Sequence, residues 1–580
     1  MRRHRLAVAA IGMVAAAGAV GVGVAPAHHD DHNGGGSLRS VKHIVVIYEE
    51  NHSFDNLYGG WEGVNGLGSV DINRTTQVNQ AGQPYGCLLQ NDVNLKSPPL
   101  STTCTDTSTA TPFASHFTNA PFAIDDYIKP EDTTCPAPGV FAGNGVLKGT
   151  GLPGGCTRDL VHRFYEEQYQ LNGGMQNRYV TGSDAVGLTM GHYNTRDLPI
   201  YQYLHSPGHP RYAIEDAFFQ SAFGGSFLNH QWLVAARTPV WPNAVNDGGP
   251  DDLHSVVDAN GMPANNYPLY KPTSTVVNAQ LTESCNPPAV PAGRAPAPPG
   301  TLCGDYAVNT TQPTYQPFQP GTADSRKLPP QTSPTIGDRL SAAHVDWAWY
   351  SGGWSNAAGR VNEPGWTNGN GPTCSDPNAF ANATYPYCPD KLFQFHHQPL
   401  NYYASFAPGT QMRERHLRDE TEFEQLAAAS NRSCKLKPVS LIKPLGAENE
   451  HPGYASEHNG SDHLVDLLQS IEGSACARDT MVIVTYDEFG GQWDHVPPPG
   501  QGSTTAGPHD AHGPGTRIPA LIVSPLLPDY FEVDSAEHDT TSIAATIEHR
   551  YGLRPLSSRD ANVEDLSTVF DRDRGRRYHW

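Results

Sequence analysis

The chain has 580 residues, a length that allows one large or two ordinary domains with a sizeable hydrophobic core. Hydrophobic residues make up 38% and charged residues 17%, and the 57 glycines and 50 prolines indicate a loop-rich globular protein rather than a coiled coil or a disordered chain. The formal net charge of -21 excludes a protein that binds nucleic acid through a basic surface.

The first 27 residues have the parts of a secretory signal peptide. Three arginines within residues 2–5 precede an apolar run over residues 6–24, and Ala25-Pro26-Ala27 is a small-residue cleavage pattern. Retention of the run as a membrane anchor is the alternative, but its Gly and Ala content and the cleavage pattern favour removal. We therefore expect a secreted protein, in the cell wall, the periplasm or the medium, with no stable membrane anchor and a flexible tail over residues 28–40.

Short runs of apolar and β-branched residues predict strands that are buried on both faces, as in a parallel α/β sheet. The runs cover residues 43–49, 481–486 and 519–524. Helical patterns with start or stop signals cover residues 158–171, 461–472 and 541–550. The predicted fold class is therefore α/β, with a mostly parallel sheet flanked by helices.

Two long segments, residues 61–155 and 240–390, are dense in Gly, Pro, Ser, Thr and Asn. They predict surface insertions into a single catalytic domain over residues 41–560, which a C-terminal tail over residues 561–580 follows.

The 10 cysteines include no CxxC pair, and in an exported chain this favours disulfides over a thiolate metal site. The neighbours Cys285/Cys303 and Cys374/Cys388 flank Pro-rich loops, and we expect each pair to close its loop.

Acidic and amide side chains follow two predicted strands at their C-terminal ends, where open α/β sheets place their sites. Glu50 and Asn51 follow the first strand, and Asp487 and Glu488 follow the second. One such acidic pair alone is more often a solvated strand end. Four oxygen donors with three negative charges repel one another unless a cation lies between them, so the two pairs together predict a metal site.

Longer motifs around these residues resemble those of a known family. They are Val-Ile-Tyr-Glu-Glu-Asn-His-Ser-Phe-Asp at 46–55, Phe-Gly-Gly-Ser-Phe-Leu-Asn-His-Gln-Trp at 223–232, His-His at 396–397 and Thr-Tyr-Asp-Glu-Phe-Gly-Gly at 485–491. The chain resembles the bacterial phosphoesterase family of secreted acid phosphatases and phospholipases C over residues 40–240 and 390–550. The resemblance implies an alkaline-phosphatase-like fold.

The resemblance also implies a metal site and a nucleophile. The implied ligands of one divalent ion are Glu50, Asn51, Asp487 and Glu488, whose oxygen atoms suit Ca²⁺ or Mg²⁺ and also admit Fe or Zn. The implied nucleophile is Ser226, whose hydroxyl a sharp Gly-Gly-Ser turn would expose, although the same tripeptide also fits an ordinary turn. Ser221 lacks the glycines, and we expect it to tolerate replacement by alanine.

Four histidines are implied to surround the phosphoryl group: His162, His396, His397 and His451. His162 lies in the helical pattern and also fits an ordinary helix-surface histidine, whereas the other three lie in loops where packing does not require a histidine. Supporting contacts around the site are expected from His458, Asp494, His495, His512 and Arg517.

Three classes of function compete. The favoured one is a secreted metal-dependent phosphoesterase that hydrolyses phosphate monoesters through a phosphoserine, like an acid phosphatase, because the phospholipase branch tends to carry Thr followed by Asn-Arg where this chain has Ser226 followed by Asn229-His230. The alternative is a phospholipase C that cleaves headgroup phosphodiesters, which an apolar lip at the pocket would indicate. The third is a non-catalytic binding protein, which would have lost the nucleophile or a ligand. The expected partner is thus a small phosphorylated substrate or a phospholipid headgroup.

Overall fold

The computed structural model describes residues 37–571, except residues 98, 245–252, 256, 265–266, 274–275, 277–278, 286–300, 319–321, 369–391 and 504–506. The predicted signal peptide over residues 1–27, most of the predicted tail over residues 28–40 and the predicted Cys374/Cys388 pair lie outside the described residues.

An eight-stranded sheet lies at the centre of the described residues, in the order β13-β6-β12-β11-β1-β10-β8-β9. The strands are β1 (His43–Glu49), β2 (Cys104–Asp106), β3 (Phe113–Ser115), β4 (Phe122–Ala123), β5 (Gly191–His192), β6 (Tyr212–Glu215), β7 (Phe218–Phe219), β8 (Trp347–Ser351), β9 (Leu417–Asp419), β10 (Val439–Lys443), β11 (Thr480–Tyr486), β12 (Ala520–Val523), β13 (Phe531–Asp534) and β14 (His538–Asp539). The α/β class and the mostly parallel sheet are confirmed.

One strand direction differs from the prediction. The run at 519–524 forms β12, which pairs antiparallel with both β11 and β6, while the other paired strands of the sheet run parallel. All four residues of β12 are buried, and a strand buried on both faces shows the same continuous apolar run in either direction.

Helices flank the central sheet. They are α1 (Phe54–Leu57), α2 (Ile72–Thr75), α3 (Val93–Lys96), α4 (Phe164–Leu171), α5 (Pro199–Leu204), α6 (Ser226–Ala235), α7 (Ile336–Ala342), α8 (Trp354–Ala358), α9 (Gln411–His416), α10 (Glu420–Ala428), α11 (Glu457–Glu472) and α12 (Thr541–Tyr551). Helix α11 begins four residues before the predicted start because the Ser456 side chain accepts a hydrogen bond from the Asn459 amide and caps it there.

The helix predicted at 158–171 begins at Phe164, six residues late. His162 therefore lies in an irregular segment before α4, and the helix-surface interpretation of this residue is wrong.

The predicted boundaries of the insertions and of the C-terminal tail need correction. Residues 240–390 contain β8, whose five residues are all buried between β10 and β9 in the central sheet. The short 3-10 helix Leu566–Phe570 lies beyond residue 560, yet its Leu566 and Val569 are buried in the core. Apolar burial thus extends into segments whose composition or position suggested surface loops.

Four disulfides join described cysteines: Cys87–Cys104, Cys135–Cys156, Cys285–Cys303 and Cys434–Cys476. The predicted Cys285–Cys303 bond is confirmed. Disulfides of this number are typical of proteins outside the reducing cytosol. None of the helices in the described ranges combines the length and the apolar character that crossing a bilayer requires.

Three adjacent parallel strands determine where the site forms. β1 lies between β10 and β11, and the register pairs Glu49 with Tyr486 and Ile47 with Ile442. Residues 50 and 487 are consequently neighbours at one edge of the sheet, with Lys443 at the end of β10 beside them. Val45 and Ile47 of β1 are fully buried, and burying each such side chain contributes about 1.5–3 kcal/mol to holding this edge together.

Candidate active site

The two acidic loops that follow β1 and β11 are joined by direct hydrogen bonds. Asp487 Oδ1 accepts from the Asn51 amide at 3.2 Å and from the Glu488 amide at 2.8 Å. Gly490 has a φ of 63°, and a Cβ atom there would lie 2.3 Å from the Asn51 carbonyl oxygen. Only glycine permits this close approach, so Gly490 is a condition for bringing the two loops together.

Ser226 is the first residue of α6, and its hydroxyl lies against three predicted metal ligands. Its Oγ is 3.2 Å from Glu50 Oε2, 3.4 Å from Asn51 Oδ1 and 3.4 Å from Glu488 Oε1. The N-terminus of an α-helix favours negative charge, which suits both a serine alkoxide and a phosphoryl group at this position.

The turn before Ser226 requires glycine. Gly224 has a φ of 89°, and a Cβ atom there would lie 2.7 Å from the Phe164 backbone nitrogen. Ser221, which precedes this turn, is fully buried. Ser221 Oγ donates to Asp539 Oδ1 and accepts from the Thr541 amide, both at 3.0 Å. Because loss of such a buried partner costs about 1–3 kcal/mol, Ser221 is not the neutral position that the sequence suggested.

The chemistry of the predicted ligands fits a hard divalent cation. Glu50, Asn51, Asp487 and Glu488 are all fully buried. Burial raises the pKa of Asp487 to about 6, and burial together with the charge of Asp487 raises the pKa values of Glu50 and Glu488. Asp487 Oδ2 is buried with no hydrogen-bond partner among the described residues. These oxygen atoms would hold a cation, which would favour their ionised forms.

The four predicted histidines line one cavity together with Ser226. His162 Nδ1 donates to the Leu160 carbonyl, so its Nε2 lone pair faces Glu488 Oε1 at 3.2 Å. His397 Nδ1 lies 3.1 Å from Glu50 Oε1, and His451 Nδ1 donates to the Pro452 carbonyl at 2.6 Å.

Burial keeps these imidazoles neutral near pH 7. It lowers the pKa values of His162 and His396 to about 4, and it also lowers those of His397 and His451. Neutral imidazoles can accept a proton during a reaction and return it later.

Two residues of the site were missed by the sequence analysis. Lys443 is almost fully buried, pairs with Glu50 Oε1 and donates to the Tyr48 carbonyl at 2.9 Å. His230 stacks on His397 with ring centroids 4.9 Å apart, and its Nε2 lies 3.6 Å from Glu50 Oε1. Two signals were present: Lys443 ends an apolar strand run, and His230 follows Ser226 by four residues on the same helical face.

The cavity has a volume of about 800 Å³ and walls of mixed character. Its charged lining includes Arg158, Asp159, Arg163 and Asp184, and its apolar lining includes Phe141, Phe227, Val308, Leu392 and Tyr454. Phe141 is 49% exposed, and its ring lies 6.0 Å from that of Tyr454. An apolar side chain that both lines the cavity and faces solvent forms part of a lip at the opening.

A buried ion network joins the residues that follow the two acidic loops. Arg517 is fully buried; its Nη2 lies 3.1 Å from Asp55 Oδ1 and its Nε 3.1 Å from Asp494 Oδ1. His495 Nδ1 adds a 2.6 Å contact to Asp55 Oδ2. Asp55 follows the Glu50 loop and Asp494 follows the Glu488 loop, so the network holds the two loops in register. The other predicted supports lie elsewhere: His458 is on α11, and His512 contacts Thr238.

The sequence matches the Phosphoesterase family over residues 41–135 and 146–554. The chain belongs to this family. Phospholipase C A of Mycobacterium tuberculosis is 23% identical over 564 residues, covering 92% of this chain and 78% of that protein. Phospholipase C B of the same organism is 33% identical over 168 residues (25% and 31%), and non-specific phospholipase C6 of Arabidopsis thaliana is 29% identical over 151 residues (22% and 29%).

Membership of the family makes the chain a hydrolase that acts on phosphoric ester bonds. The third class of function, a non-catalytic binding protein, is therefore not supported. The relatives carry the name phospholipase C, so they favour the alternative function over the acid-phosphatase function that the sequence analysis preferred.

We predict that Arg517→Met lowers the free energy of unfolding by about 3–5 kcal/mol, because it leaves Asp55 and Asp494 buried without their partner. The control is Lys42→Met. Lys42 also pairs with an aspartate, Asp479, but its side chain is 63% exposed, and loss of an exposed pair costs less than about 1 kcal/mol. Urea denaturation of both variants measures the difference; equal losses would contradict a supporting role for the network.

Proposed function

We propose that this protein is an exported phospholipase C that hydrolyses the phosphodiester between a lipid and its headgroup through a phosphoserine. The observation that carries the proposal is the apolar lip of the Ser226 cavity, formed by the exposed Phe141, whose apolar surface continues into the cavity through the buried Leu392 and Tyr454. A monoester of a small polar alcohol gains nothing from such a lip, whereas the glycerol backbone and acyl chains of a lipid do. The names of the relatives support the lipid substrate. The four disulfides support export from the reducing cytosol.

Ser226 is the proposed nucleophile. Its Oγ would form a bond to phosphorus while the bond from phosphorus to the lipid alcohol breaks, which leaves the headgroup phosphate esterified to the serine; water would then release the phosphorylated headgroup and restore Ser226. The proton of the hydroxyl and the proton of the water need acceptors, and the neutral imidazoles of His162 and His451 present Nε2 lone pairs for them. Ring N–H groups of His396 or His397 are the proposed hydrogen-bond donors to the phosphoryl oxygens, and the imidazole that accepted the serine proton returns it to the departing alcohol.

Glu50, Asn51, Asp487 and Glu488 are proposed to hold one divalent metal ion, whose identity the donor set does not distinguish among Ca, Mg, Fe and Zn. A cation bound there would supply positive charge to the serine oxygen and the phosphoryl group. Lys443 adds a permanent positive charge beside Glu50.

Hydrolysis of phosphate monoesters is the second candidate. The feature that favours it is the residue pattern of the nucleophile helix, Ser226 followed by Asn229 and His230, which is closer to the acid-phosphatase branch of the family.

We expect faster hydrolysis of p-nitrophenylphosphorylcholine, a diester, than of p-nitrophenyl phosphate, a monoester, because a cavity of about 800 Å³ has room for the second ester substituent that only the diester carries. Initial rates on both substrates, at several pH values and with and without a chelator, measure this preference. A large preference for the monoester would replace the phospholipase C function with the second candidate.

Ser226→Ala should reduce the hydrolysis rate by several orders of magnitude while metal content and fold stay unchanged, because only the covalent step is lost. The matched control is Ser558→Ala at an exposed serine. Acid quenching with labelled substrate should trap phosphate on the Ser226 peptide. Near-normal turnover in Ser226→Ala without trapped label would indicate direct attack by water instead.

Asp487→Asn should lower metal content, measured by elemental analysis, and activity together.

Phe141→Ser should lower the rate on phospholipid vesicles at least several-fold while the rate on p-nitrophenylphosphorylcholine changes little, because the lip contacts the lipid and not the reacting phosphorus. The control is Ile72→Ser, which also replaces an exposed apolar residue, 68% exposed, that does not line the cavity. Equal losses on the vesicle and soluble substrates in Phe141→Ser would show that the residue acts on catalysis in general.

A further inference from the structure

A second group of metal-binding residue types lies at the same edge of the sheet as the active site, on strands that catalysis does not use. Glu215 ends β6 and Asp534 ends β13, and the parallel register of these strands makes the two residues direct neighbours. His538 begins β14, where its amide donates to the Ala217 carbonyl at 3.0 Å. Three strand ends therefore bring two carboxylates and an imidazole together; we name these three residues the Glu215 cluster.

The Glu215 cluster is buried, and three of its four carboxylate oxygen atoms lack a hydrogen-bond partner among the described residues. The exposed fractions of Glu215, Asp534 and His538 are 0%, 8% and 1%. Neither carboxylate oxygen of Glu215 has a hydrogen-bond partner among the described residues, and the same holds for Asp534 Oδ2. Adjacent buried carboxylates whose oxygen atoms lack hydrogen-bond partners destabilise the folded state unless a proton or a cation lies between them.

The imidazole is oriented as a metal ligand. His538 Nδ1 lies 3.2 Å from the Glu564 carbonyl oxygen, to which it donates, and this leaves Nε2 as the ring nitrogen that can bind a metal ion. That Nε2 lies 3.6 Å from Glu215 Oε2 and 3.9 Å from Asp534 Oδ2. A backbone carbonyl that accepts from the second ring nitrogen is the usual way in which a ligating histidine is held.

A fourth donor atom is adjacent. Thr568 Oγ1 lies 3.0 Å from His538 Nε2, in the short 3-10 helix near the end of the described chain. One representative ligand atom from each residue of the Glu215 cluster lies within 4.8 Å of the others. Ligands about 2.0–2.2 Å from a tetrahedral Zn²⁺ are about 3.4 Å apart. The distances of 3.6 and 3.9 Å from His538 Nε2 to the two carboxylates are close to this spacing.

We propose that Glu215, Asp534 and His538 bind a second divalent cation, of the Zn²⁺ class, at a structural site separate from the active site. The imidazole ligand favours Zn²⁺ over Ca²⁺ or Mg²⁺, which take oxygen ligands almost exclusively. The burial leaves no open position for a substrate, as is typical of a structural rather than a catalytic ion. A cation there would fix the edge strand β13 to β6 and to β14.

The test compares the zinc content of the full-length wild type, Glu215→Gln and the control Glu131→Gln, an exposed glutamate. Each protein is stripped with chelator, equilibrated with Zn²⁺ by dialysis and analysed for metal. Wild type and Glu131→Gln should hold one zinc ion more per chain than Glu215→Gln. Diester hydrolysis in the same samples reports separately on the active site, so failure of the proposed function leaves this difference intact.

A thermal-stability measurement distinguishes loss of the zinc site from misfolding of a variant. Zn²⁺ should raise the Tm of the stripped wild type, and the increase should be smaller in both Glu215→Gln and Asp534→Asn, whose amides keep the shape of the lost carboxylates. If Glu215→Gln binds as much zinc as the wild type, or if zinc raises the Tm of the wild type, Glu215→Gln and Asp534→Asn equally, the Glu215 cluster is not a metal site.

Discussion

The concentration of buried negative charge at one edge of the sheet is the constraint on which the rest of the structure depends. Glu50, Asp487 and Glu488 are fully buried within reach of one serine hydroxyl. Such a group is stable only with positive charge beside it and rigid loops beneath it. The molecule provides both, through Lys443 from the neighbouring strand and through the Arg517 network that joins the two loops.

Regions of the chain whose residue pattern is local were predictable from the sequence. The strands at 43–49 and 481–486 and the acidic pairs after them follow from apolar runs that end in carboxylates, and those strands form at the expected residues. The family resemblance added Ser226 and the four histidines, which the fold gathers in one cavity. The acidic pairs were predictable because each directly follows a strand, and Ser226 was predictable because it lies in a long motif.

Other features depend on contacts between distant segments, which no local pattern encodes. β8 lies within a Gly- and Pro-rich region and becomes a strand because β10 and β9 pair with both of its edges. Lys443 lies in none of the quoted motifs, and His230 lies in one that did not indicate its contact with Glu50; the two residues join the site through strand register and helix periodicity. The direction of β12 is likewise a property of its neighbours, since its own residues are apolar on both faces.

The position of Lys443 has a consequence for how the centre responds to its surroundings. Glu50, His230 and His397 form a set that matches the ligands of a metal ion, yet the ammonium of Lys443 occupies the place beside Glu50 Oε1. The ammonium of Lys443 is covalently part of the chain and repels a free metal ion, so the positive charge beside Glu50 Oε1 does not vary with the supply of ions. Chelators and metal scarcity would then remove the charge of a bound ion but not that of Lys443, so partial electrostatic preorganisation would persist in the metal-free protein.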